Sequence, residues 1–218
     1  MRTDTSEFRL DPENAFYINR LTNTNNFETG LSSTLGFDYT VRGKEEKKFN
    51  FSLAQIINDR ENNKMTDKSS LNEKLSDLVG SASIDINNIN LNYNFSVDQN
   101  YNEFNYNDYE LGLNFDPLKV NFNYLQEKEH IGNEEYLKSN FKFEKKNSLL
   151  TFENKRNLIT NSWDYYNLGY EYINDCLRAG LVYRREFYND SEVEPEDSLL
   201  FKITITPIGQ INAASISE

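Results

Sequence analysis

Strict alternation of apolar and polar residues is the feature that most limits how this chain can fold. In Ile89–Asp98 the apolar side chains take every second position, and asparagine, serine or aspartate fills each position between them. Successive side chains of a β-strand point to opposite faces, so a period of two produces one apolar and one polar face. The pattern therefore predicts a strand with one face in contact with water.

The same period recurs along the chain and predicts about eleven strands. In chain order they are 31–42, 49–54, 79–86, 89–98, 109–115, 118–124, 137–144, 148–155, 166–172, 177–184 and 199–207. We expect a twelfth strand over Ala15–Arg20. The hydrophobic fraction of 37% suits strands with one polar face, and an aromatic fraction of 14% argues against disorder.

The connectors between these strands alternate between short and long. Asn87-Asn88 and Asp116-Pro117 are typical of the tight ones, whereas Asp59–Leu78 and Gln99–Asp108 are long and polar. A transmembrane β-barrel has this order, with short periplasmic turns and longer outer loops, while a Greek-key sandwich has no reason to keep it. The sequence thus predicts an all-β fold, an antiparallel transmembrane β-barrel. In the longest connector, Ser70 and Glu73 have the spacing of a capping box, which predicts a short helix there, with an ordinary solvated loop as the alternative.

Charge and composition exclude several classes of protein. The net charge of -12 argues against binding to nucleic acid or to an anionic membrane surface through basic residues. No stretch approaches the roughly 20 apolar residues of a membrane-spanning helix. The first residues also lack the apolar region of a secretory signal, so we expect any such signal to lie upstream.

Catalytic and metal-binding chemistry finds little support in the sequence, so we expect no enzyme activity, no cofactor and no metal site. His130 is the single histidine, and neither a metal cluster nor a catalytic triad is visible around it. Acidic residues of the last long connector are candidates for binding divalent cations, with plain solvation as the alternative. They are Glu192, Glu194, Glu196 and Asp197.

Cys176 is the only cysteine, which excludes an intrachain disulfide. If the last strand of a barrel ends on the periplasmic side, the strand before it starts there, so Cys176 lies beside a periplasmic turn. Its parity matches Arg178 and predicts that it faces the lumen. The periplasm is oxidising, so the partner of a structural cysteine would lie on another chain or segment; a free, inert cysteine is the alternative.

Three stretches of the sequence resemble the LptD family of lipopolysaccharide-assembly barrels. The first is YEYINDCLRAGLVYRREFYNDSEVEPEDSLLFKITITPIG, residues 170–209. The second is ENAFYINRL, residues 13–21, with its asparagine–arginine pair, followed by FETGLSSTLGFDYTVRG. The third is LNEKLSDLVGSASI, residues 71–84. Their order along the chain makes the set fairly specific.

The resemblance implies a role in the cell outer membrane. LptD proteins are large barrels preceded by a periplasmic jellyroll domain, with an LptE-like lipoprotein in the lumen. Lipopolysaccharide arrives over an LptA-like periplasmic bridge and enters the outer leaflet through a gap between the first and last strands. The chain would then be the C-terminal portion, residues 1–218, with about 11–12 strands of a larger barrel. Residues 1–26 would lead into it, 27–207 would hold its strands, and 208–218 would form a tail.

The resemblance also implies two sites. Cys176 matches the family's C-terminal cysteine, which bonds to a cysteine near the N-terminal domain, although Asp175 stands where some members have a second cysteine. The last strand would form one edge of the lateral gate. Its residues are Leu199, Phe201, Ile203, Ile205 and Pro207, where proline removes one ladder donor or simply ends the strand. A free-standing porin-like channel or adhesin barrel, and a soluble all-β binding protein, are the alternatives.

Overall fold

The computed structural model consists almost entirely of antiparallel β-strands. It describes residues 9–18, 20, 30–44, 47–62, 65, 67–128, 133–187, 196–205, 209–212 and 216–217, the last two ranges as backbone only. The long strands are β1 Ser32–Arg42, β2 Lys48–Asn58, β3 Leu78–Ile86, β4 Ile89–Val97, β5 Phe104–Phe115, β6 Leu118–Glu127, β7 Glu134–Lys145, β8 Ser148–Asn157, β9 Ser162–Ile173, β10 Leu177–Glu186 and β11 Glu196–Ile205. Two short strands follow, β12 Gly209–Asn212 and β13 Ile216–Ser217.

The sheet confirms the strands that the alternation predicts. Its strand order follows the chain from β1 to β12, and β13 pairs with β11. Several strands run further than predicted: β5 begins at Phe104 and β9 at Ser162. Beyond the apolar band both faces of a barrel strand meet water, so the alternation disappears while the backbone ladder continues. No helix in the described parts of the chain is long and apolar enough to cross a membrane.

The C-terminal residues differ from the expectation of a tail. β12 pairs with β11 from Lys202↔Asn212 to Ile205↔Gly209, and β13 pairs with Ser198 and Leu199. β11 is therefore not the last strand. The edge of β11 that faces away from β10 has backbone N–H and C=O groups to offer, and β12 and β13 pair with them. Weak alternation in these short strands explains why the sequence pattern does not predict them.

The predicted strand over Ala15–Arg20 is wrong. Asn14–Phe16 forms a 3-10 helix instead. Asp11 Oδ1 accepts hydrogen bonds from the backbone N–H groups of Glu13 (2.8 Å) and Asn14 (2.7 Å), which bends the chain where a strand would have to stay extended.

The capping box at Ser70 is also wrong. A 3-10 helix covers Lys68–Ser70, ending where the predicted helix would begin, and no side chain caps it. The Ser70 hydroxyl donates to Asp77 Oδ1 at 2.7 Å, so its side chain is directed towards Asp77 and makes no capping bond to the backbone.

The chain divides into two compact units. The first holds residues 1–110 and 124–135, and the second holds residues 111–123 and 136–218. In the first unit the polar face of the sheet carries a small apolar cluster near the long connectors. Its members are Leu10, Ala15, Ala54, Ile56, Met65, Leu71 and Val79. In the second unit β7 to β11 form antiparallel pairs, with one register shift in β8 between Lys155 and Arg156. Aromatic and aliphatic residues form cross-strand rows on one face of these strands.

Candidate functional site: the polar face of the sheet

One face of the first unit leaves large apolar side chains uncovered. Along β1, Leu35, Phe37, Tyr39 and Val41 are 61%, 55%, 51% and 43% exposed. Soluble proteins rarely leave a contiguous apolar patch of this kind open to water. Alternation with an uncovered apolar side is typical of strands that contact lipid.

The opposite face of the first unit is lined by small polar side chains. Asp38 lies opposite Ser52, Ser52 opposite Ser81, and Ser81 opposite Asn94, which makes a polar row across β1 to β4. These residues carry hydroxyl, amide and carboxylate groups in close succession, so the surface offers both donors and acceptors to a polar ligand.

An N-terminal stretch, residues 9–18 and 20, lies on this polar face; we call it the inner segment. Arg20 is only 5% exposed, and its Nε donates to the Ala15 carbonyl at 3.1 Å. Arg20 Nη2 donates to Thr34 Oγ1 at 3.2 Å, and Thr34 Oγ1 donates to the same Ala15 carbonyl at 2.9 Å. Leu10 N–H donates to Ser69 Oγ at 3.1 Å. A buried guanidinium is costly unless it is hydrogen-bonded, so these contacts hold the segment in a defined position.

Two aromatic contacts add to this attachment. Phe16 packs on Gly36 of β1 so closely that a β-carbon on the glycine would overlap the ring. The guanidinium of Arg9 lies 3.5 Å from the ring centroid of Tyr106, and its Nη1 is 3.6 Å from Glu127 Oε1. A cation over an aromatic ring is attracted to the ring's negative face, so both ends of the turn are fastened to the sheet.

A cavity of about 660 Å³ lies between the inner segment and the polar face. Its lining includes Asp11, Asp38, Asn94 and Asp108, with Phe16 on one wall. The volume falls within the range of about 300–1,000 Å³ that is usual for ligand sites. Carboxylate and amide groups accept and donate hydrogen bonds with hydroxyl groups, so the cavity suits a hydroxyl-rich molecule.

A buried carboxylate stabilises the end of the first unit that carries the long connectors. Asp77 is 1% exposed and accepts hydrogen bonds from Ser70 Oγ (2.7 Å), Ser96 Oγ (2.8 Å) and Asn105 Nδ2 (2.9 Å). These bonds join the connector between β2 and β3 to β4 and β5. A polar network that is fully satisfied makes its surroundings rigid, so these bonds order the connector between β2 and β3.

The polar face of the second unit is charged. Lys138 pairs with Glu153 at 3.0 Å, Lys142 pairs with Glu144 at 3.0 Å, and Arg178 Nε binds Glu171 at 2.5 Å. Arg184 and Glu186 form another pair. Partly exposed pairs of this kind contribute only about 0–1 kcal/mol each. Their main effect is to keep this face polar and hydrated.

Cys176 lies at the tight turn between β9 and β10, as predicted. It is free and exposed, and Asn174 Oδ1 accepts hydrogen bonds from its backbone N–H (3.0 Å) and from that of Leu177 (2.6 Å). The turn is therefore ordered by Asn174, and the thiol is open to solvent.

The proposed gate residues lie on β11, except Pro207, which is outside the described residues. Leu199 and Phe201 are 44% and 45% exposed, and they stand opposite Tyr183 and Leu181 of β10. They belong to the uncovered apolar face, and the other edge of the strand pairs with β12 and β13.

The structure describes only some of the acidic residues that are candidates for cation binding, and it does not describe the histidine. His130, Glu192 and Glu194 lie outside the described residues. Glu196 begins β11, and Asp197 Oδ1 accepts a hydrogen bond from the Tyr183 hydroxyl at 3.2 Å and lies 3.5 Å from Arg185 Nε. Within the residues that the structure describes, no group of three or more histidine, cysteine or acidic side chains is placed to hold a metal ion.

One carboxylate outside the strands has a shifted pKa. Asp98 follows β4, and its Oδ1 accepts hydrogen bonds from the backbone N–H groups of Asn102 (2.6 Å) and Glu103 (3.0 Å). The bond from Glu103 is the largest cause of a pKa below the ordinary value of an aspartate, because it stabilises the charged form. The ionised side chain thus orders the connector between β4 and β5.

The sequence analysis missed the inner segment and the part that Arg20 plays in it. Two signals were available: Asp11, Pro12 and Asn14 together are typical of a turn, and the asparagine–arginine pair that ends at Arg20 supported the family resemblance. Neither signal shows where the turn docks, because the docking surface consists of residues far away in the chain.

A comparison with protein families finds a match. The sequence model described as "LptD: LPS transport system D" matches residues 2–166. The match contains the inner segment and β1 to β8, and it ends before Cys176 and β11. No curated protein is similar enough to the chain to count as a match.

Proposed function

We propose that this chain, which belongs to the LptD family, forms part of the wall of an outer-membrane barrel that carries lipopolysaccharide into the outer leaflet. The observation that carries the proposal is the contrast between the two faces of β1 to β4. Leu35 and Phe37 stand uncovered on one side, while Ser52, Ser81 and Asn94 line a cavity on the other.

The cargo has the same two-sided chemistry as the sheet. Lipopolysaccharide joins a hydroxyl-rich sugar portion to acyl chains, so its sugars would be hydrated along the polar face while its chains partition into lipid. No covalent bond is made or broken in such a transfer. The protein therefore acts as a transporter and not as an enzyme.

The family supplies the expected partners. An LptE-like lipoprotein would occupy the lumen against the polar face. An LptA-like bridge would deliver lipopolysaccharide through an N-terminal periplasmic domain, with these residues forming the C-terminal portion of the barrel. A hydrated, charged surface such as that of Lys138–Glu153 and Arg178–Glu171 would suit contact with a soluble plug.

The lateral gate is proposed at β11. Its outward residues Leu199, Phe201, Ile203 and Ile205 would line the exit on the lipid side, and Pro207 would weaken the end of the strand. Because β12 and β13 share only a few residue pairs with β11, they would leave this edge when the gate opens.

Cys176 is proposed to bond to a cysteine of the N-terminal domain. Its exposure at an ordered turn makes the thiol accessible to a partner, and the periplasm is oxidising. Such a bond would tie the periplasmic end of β10 to the domain that receives lipopolysaccharide.

A paired substitution tests the transport role. Ser81 and Ala82 are neighbours on β3, with Ser81 in the cavity lining and Ala82 opposite the outward Tyr93. In cells depleted of the wild-type protein, full-length Ser81→Trp should reduce the lipopolysaccharide that reaches the surface, while Ala82→Trp should not. Surface lipopolysaccharide is measured by its modification with an enzyme added outside the cells.

Other outcomes would overturn the proposal. If depletion left surface lipopolysaccharide unchanged and instead lowered the uptake of small solutes, the protein would be a porin-like channel. Equal loss of transport in both variants, with normal folding on unheated gels, would show that the polar face has no special role.

A further inference from the structure

The outward face of the second unit changes chemistry towards its long connectors. Phe152 of β8 lies opposite Leu168 of β9, Asn154 lies opposite Tyr166, and Arg156 lies opposite Trp163. The face thus passes from an apolar pair, through a polar residue beside a tyrosine, to a cationic residue beside a tryptophan within a few residues of β8.

The position of Arg156 fits the boundary between lipid chains and headgroups. The distance from Ser148 to Arg156 along β8 is about 26 Å, at a rise of roughly 3.3 Å per residue. At a strand tilt of about 40° this is a height of about 20 Å, close to the apolar band of roughly 25 Å in outer-membrane barrels. This placement rests on the proposed function, since it assumes that the sheet crosses the outer membrane.

The charge of Arg156 is held in place without being neutralised. Its guanidinium carbon lies 5.5 Å from the centroid of the Trp163 ring, and Nη2 donates to Asn161 Oδ1. No carboxylate is among the contacts that Arg156 makes with the described part of the chain. A guanidinium has five N–H donors, so one bond to an amide oxygen leaves others for a ligand.

The turn beside Arg156 is ordered and partly apolar. Asn157 Oδ1 accepts hydrogen bonds from the backbone N–H groups of Ile159 (3.0 Å) and Thr160 (3.1 Å). Ile159 is 53% exposed and Trp163 is 43% exposed. Tryptophan is enriched at membrane–water interfaces, so the pair offers apolar contacts at the depth where headgroups begin.

Arg185 of β10 is a weaker candidate. Its guanidinium carbon lies 5.1 Å from the centroid of the Phe187 ring, but its Nε is 3.5 Å from Asp197 Oδ1. A phosphate at this position would have to compete with the Asp197 carboxylate. Arg156, which has no carboxylate among its contacts with the described residues, is the better phosphate ligand of the two.

We propose that Arg156 and Trp163 form an outward-facing site for the phosphate of an anionic lipid headgroup. Arginine binds phosphate oxygens through two parallel N–H groups, and the tryptophan ring and Ile159 contact the upper part of the lipid. The site would anchor this hairpin in the leaflet that receives the cargo. It lies on the outward face, whereas the proposed transport surface is the inner one.

Lys155 provides a matched control. It is next to Arg156 in β8 but points to the opposite face, where its Nζ lies 3.2 Å from Asp164 Oδ2 and 4.4 Å from the centroid of the Tyr136 ring. Arg156→Gln and Lys155→Gln remove the same charge from the same strand. Only the first removes the proposed phosphate ligand.

Native mass spectrometry of the full-length protein, purified in a neutral detergent, measures the site directly. The probes are phosphatidylglycerol, phosphatidylcholine and inorganic phosphate. We expect Arg156→Gln to weaken the retention of phosphatidylglycerol about fivefold, which is the usual effect of one cation at a membrane surface. Trp163→Ala should weaken it in the same direction, and Lys155→Gln should leave it unchanged.

Three results would overturn the proposal. One is equal retention by the Arg156→Gln variant and the wild-type protein, and another is equal loss in both charge variants. The third is displacement of the lipid by low millimolar inorganic phosphate, which would show that the ligand is a free anion. Surface lipopolysaccharide is measured in the same strains, so failure of the headgroup site with normal transport leaves the proposed function intact.

Discussion

Gly36 lies directly against the ring of Phe16, and this contact joins β1 to the inner segment. A methyl group at residue 36 would overlap the ring, so Gly36→Ala should displace the segment and lower the stability of the folded state. Overpacking of this kind costs about 1–3 kcal/mol. We expect a lower unfolding temperature, measured as the loss of the compact band on gels after stepwise heating, and faster proteolysis between residues 9 and 20.

A double substitution isolates this contact. In a Phe16→Ala background the ring is gone, so adding Gly36→Ala should have a much smaller effect than it has alone. If the losses of stability caused by Phe16→Ala and by Gly36→Ala simply add in the double variant, residues 16 and 36 are not coupled. That result would contradict the contact.

Arg20 should be essential for the docking of the inner segment. Arg20→Ala removes the hydrogen bonds that the guanidinium donates to the buried Ala15 carbonyl and to Thr34 Oγ1, and it leaves in place the bond from the Thr34 hydroxyl to that carbonyl. The expected loss is about 1–3 kcal/mol in the free energy of unfolding. Arg42→Ala is the control, because Arg42 is exposed at the far end of β1 and should change stability by less than about 0.5 kcal/mol. Equal effects of the two substitutions in denaturant titrations would contradict the role of Arg20.

The connector after β4 should lose order in acid. The folded pKa of Asp98 is lower than that of an ordinary aspartate, so its stabilising effect is fully present above the unfolded pKa of about 3.9. The effect disappears as the pH falls through the lower, folded pKa. Amide exchange at Asn102 and Glu103 should therefore accelerate in that range, beyond the intrinsic change with pH. Asp98→Ala should remove this pH dependence, and an unchanged profile in the variant would count against it.

The proposed bond of Cys176 has a direct readout. The full-length protein should migrate differently on reducing and non-reducing gels, and Cys176→Ser should abolish the difference that depends on this residue. Asn174→Ala, which disturbs the turn but keeps the thiol, is the control and should still form the bond. Identical migration of the wild-type protein under both conditions would exclude the link.

The parts of the fold that the sequence predicts are those in which one face of a strand is apolar and the other is polar. Ile89–Val97 is a clear case, since each apolar residue faces one side and each asparagine or serine the other. The pattern fails at the long connectors, where β5 starts at Phe104 and β9 at Ser162, because hydrogen bonding between strands continues beyond the residues that alternate. Alternation with a period of two shows which environment the side chains contact. It does not show where the hydrogen bonds between the strands end.

The cavity, by contrast, depends on contacts between distant residues. Ser70 bonds to Asp77 instead of capping a helix, and Arg20 returns to Ala15 and Thr34. Each of these residues has an ordinary local role that the sequence suggests equally well. The role that each residue takes depends on which distant element packs against it. The sequence therefore predicts the polar face of the strands but not the inner segment that covers it.

In the proposed transport, lipopolysaccharide passes along the polar face of the first unit. Ser52 lines the cavity, and its neighbour Phe51 lies on the other side of β2. A photo-crosslinking amino acid at each position, in the full-length protein in cells with pulse-labelled lipopolysaccharide, compares the two faces in the same strand. We predict that the adduct at residue 52 forms early and declines during the chase, whereas any adduct at residue 51 accumulates as lipid fills the outer leaflet. A persistent absence of adducts at residue 52, in a strain whose surface lipopolysaccharide is normal, would contradict the account.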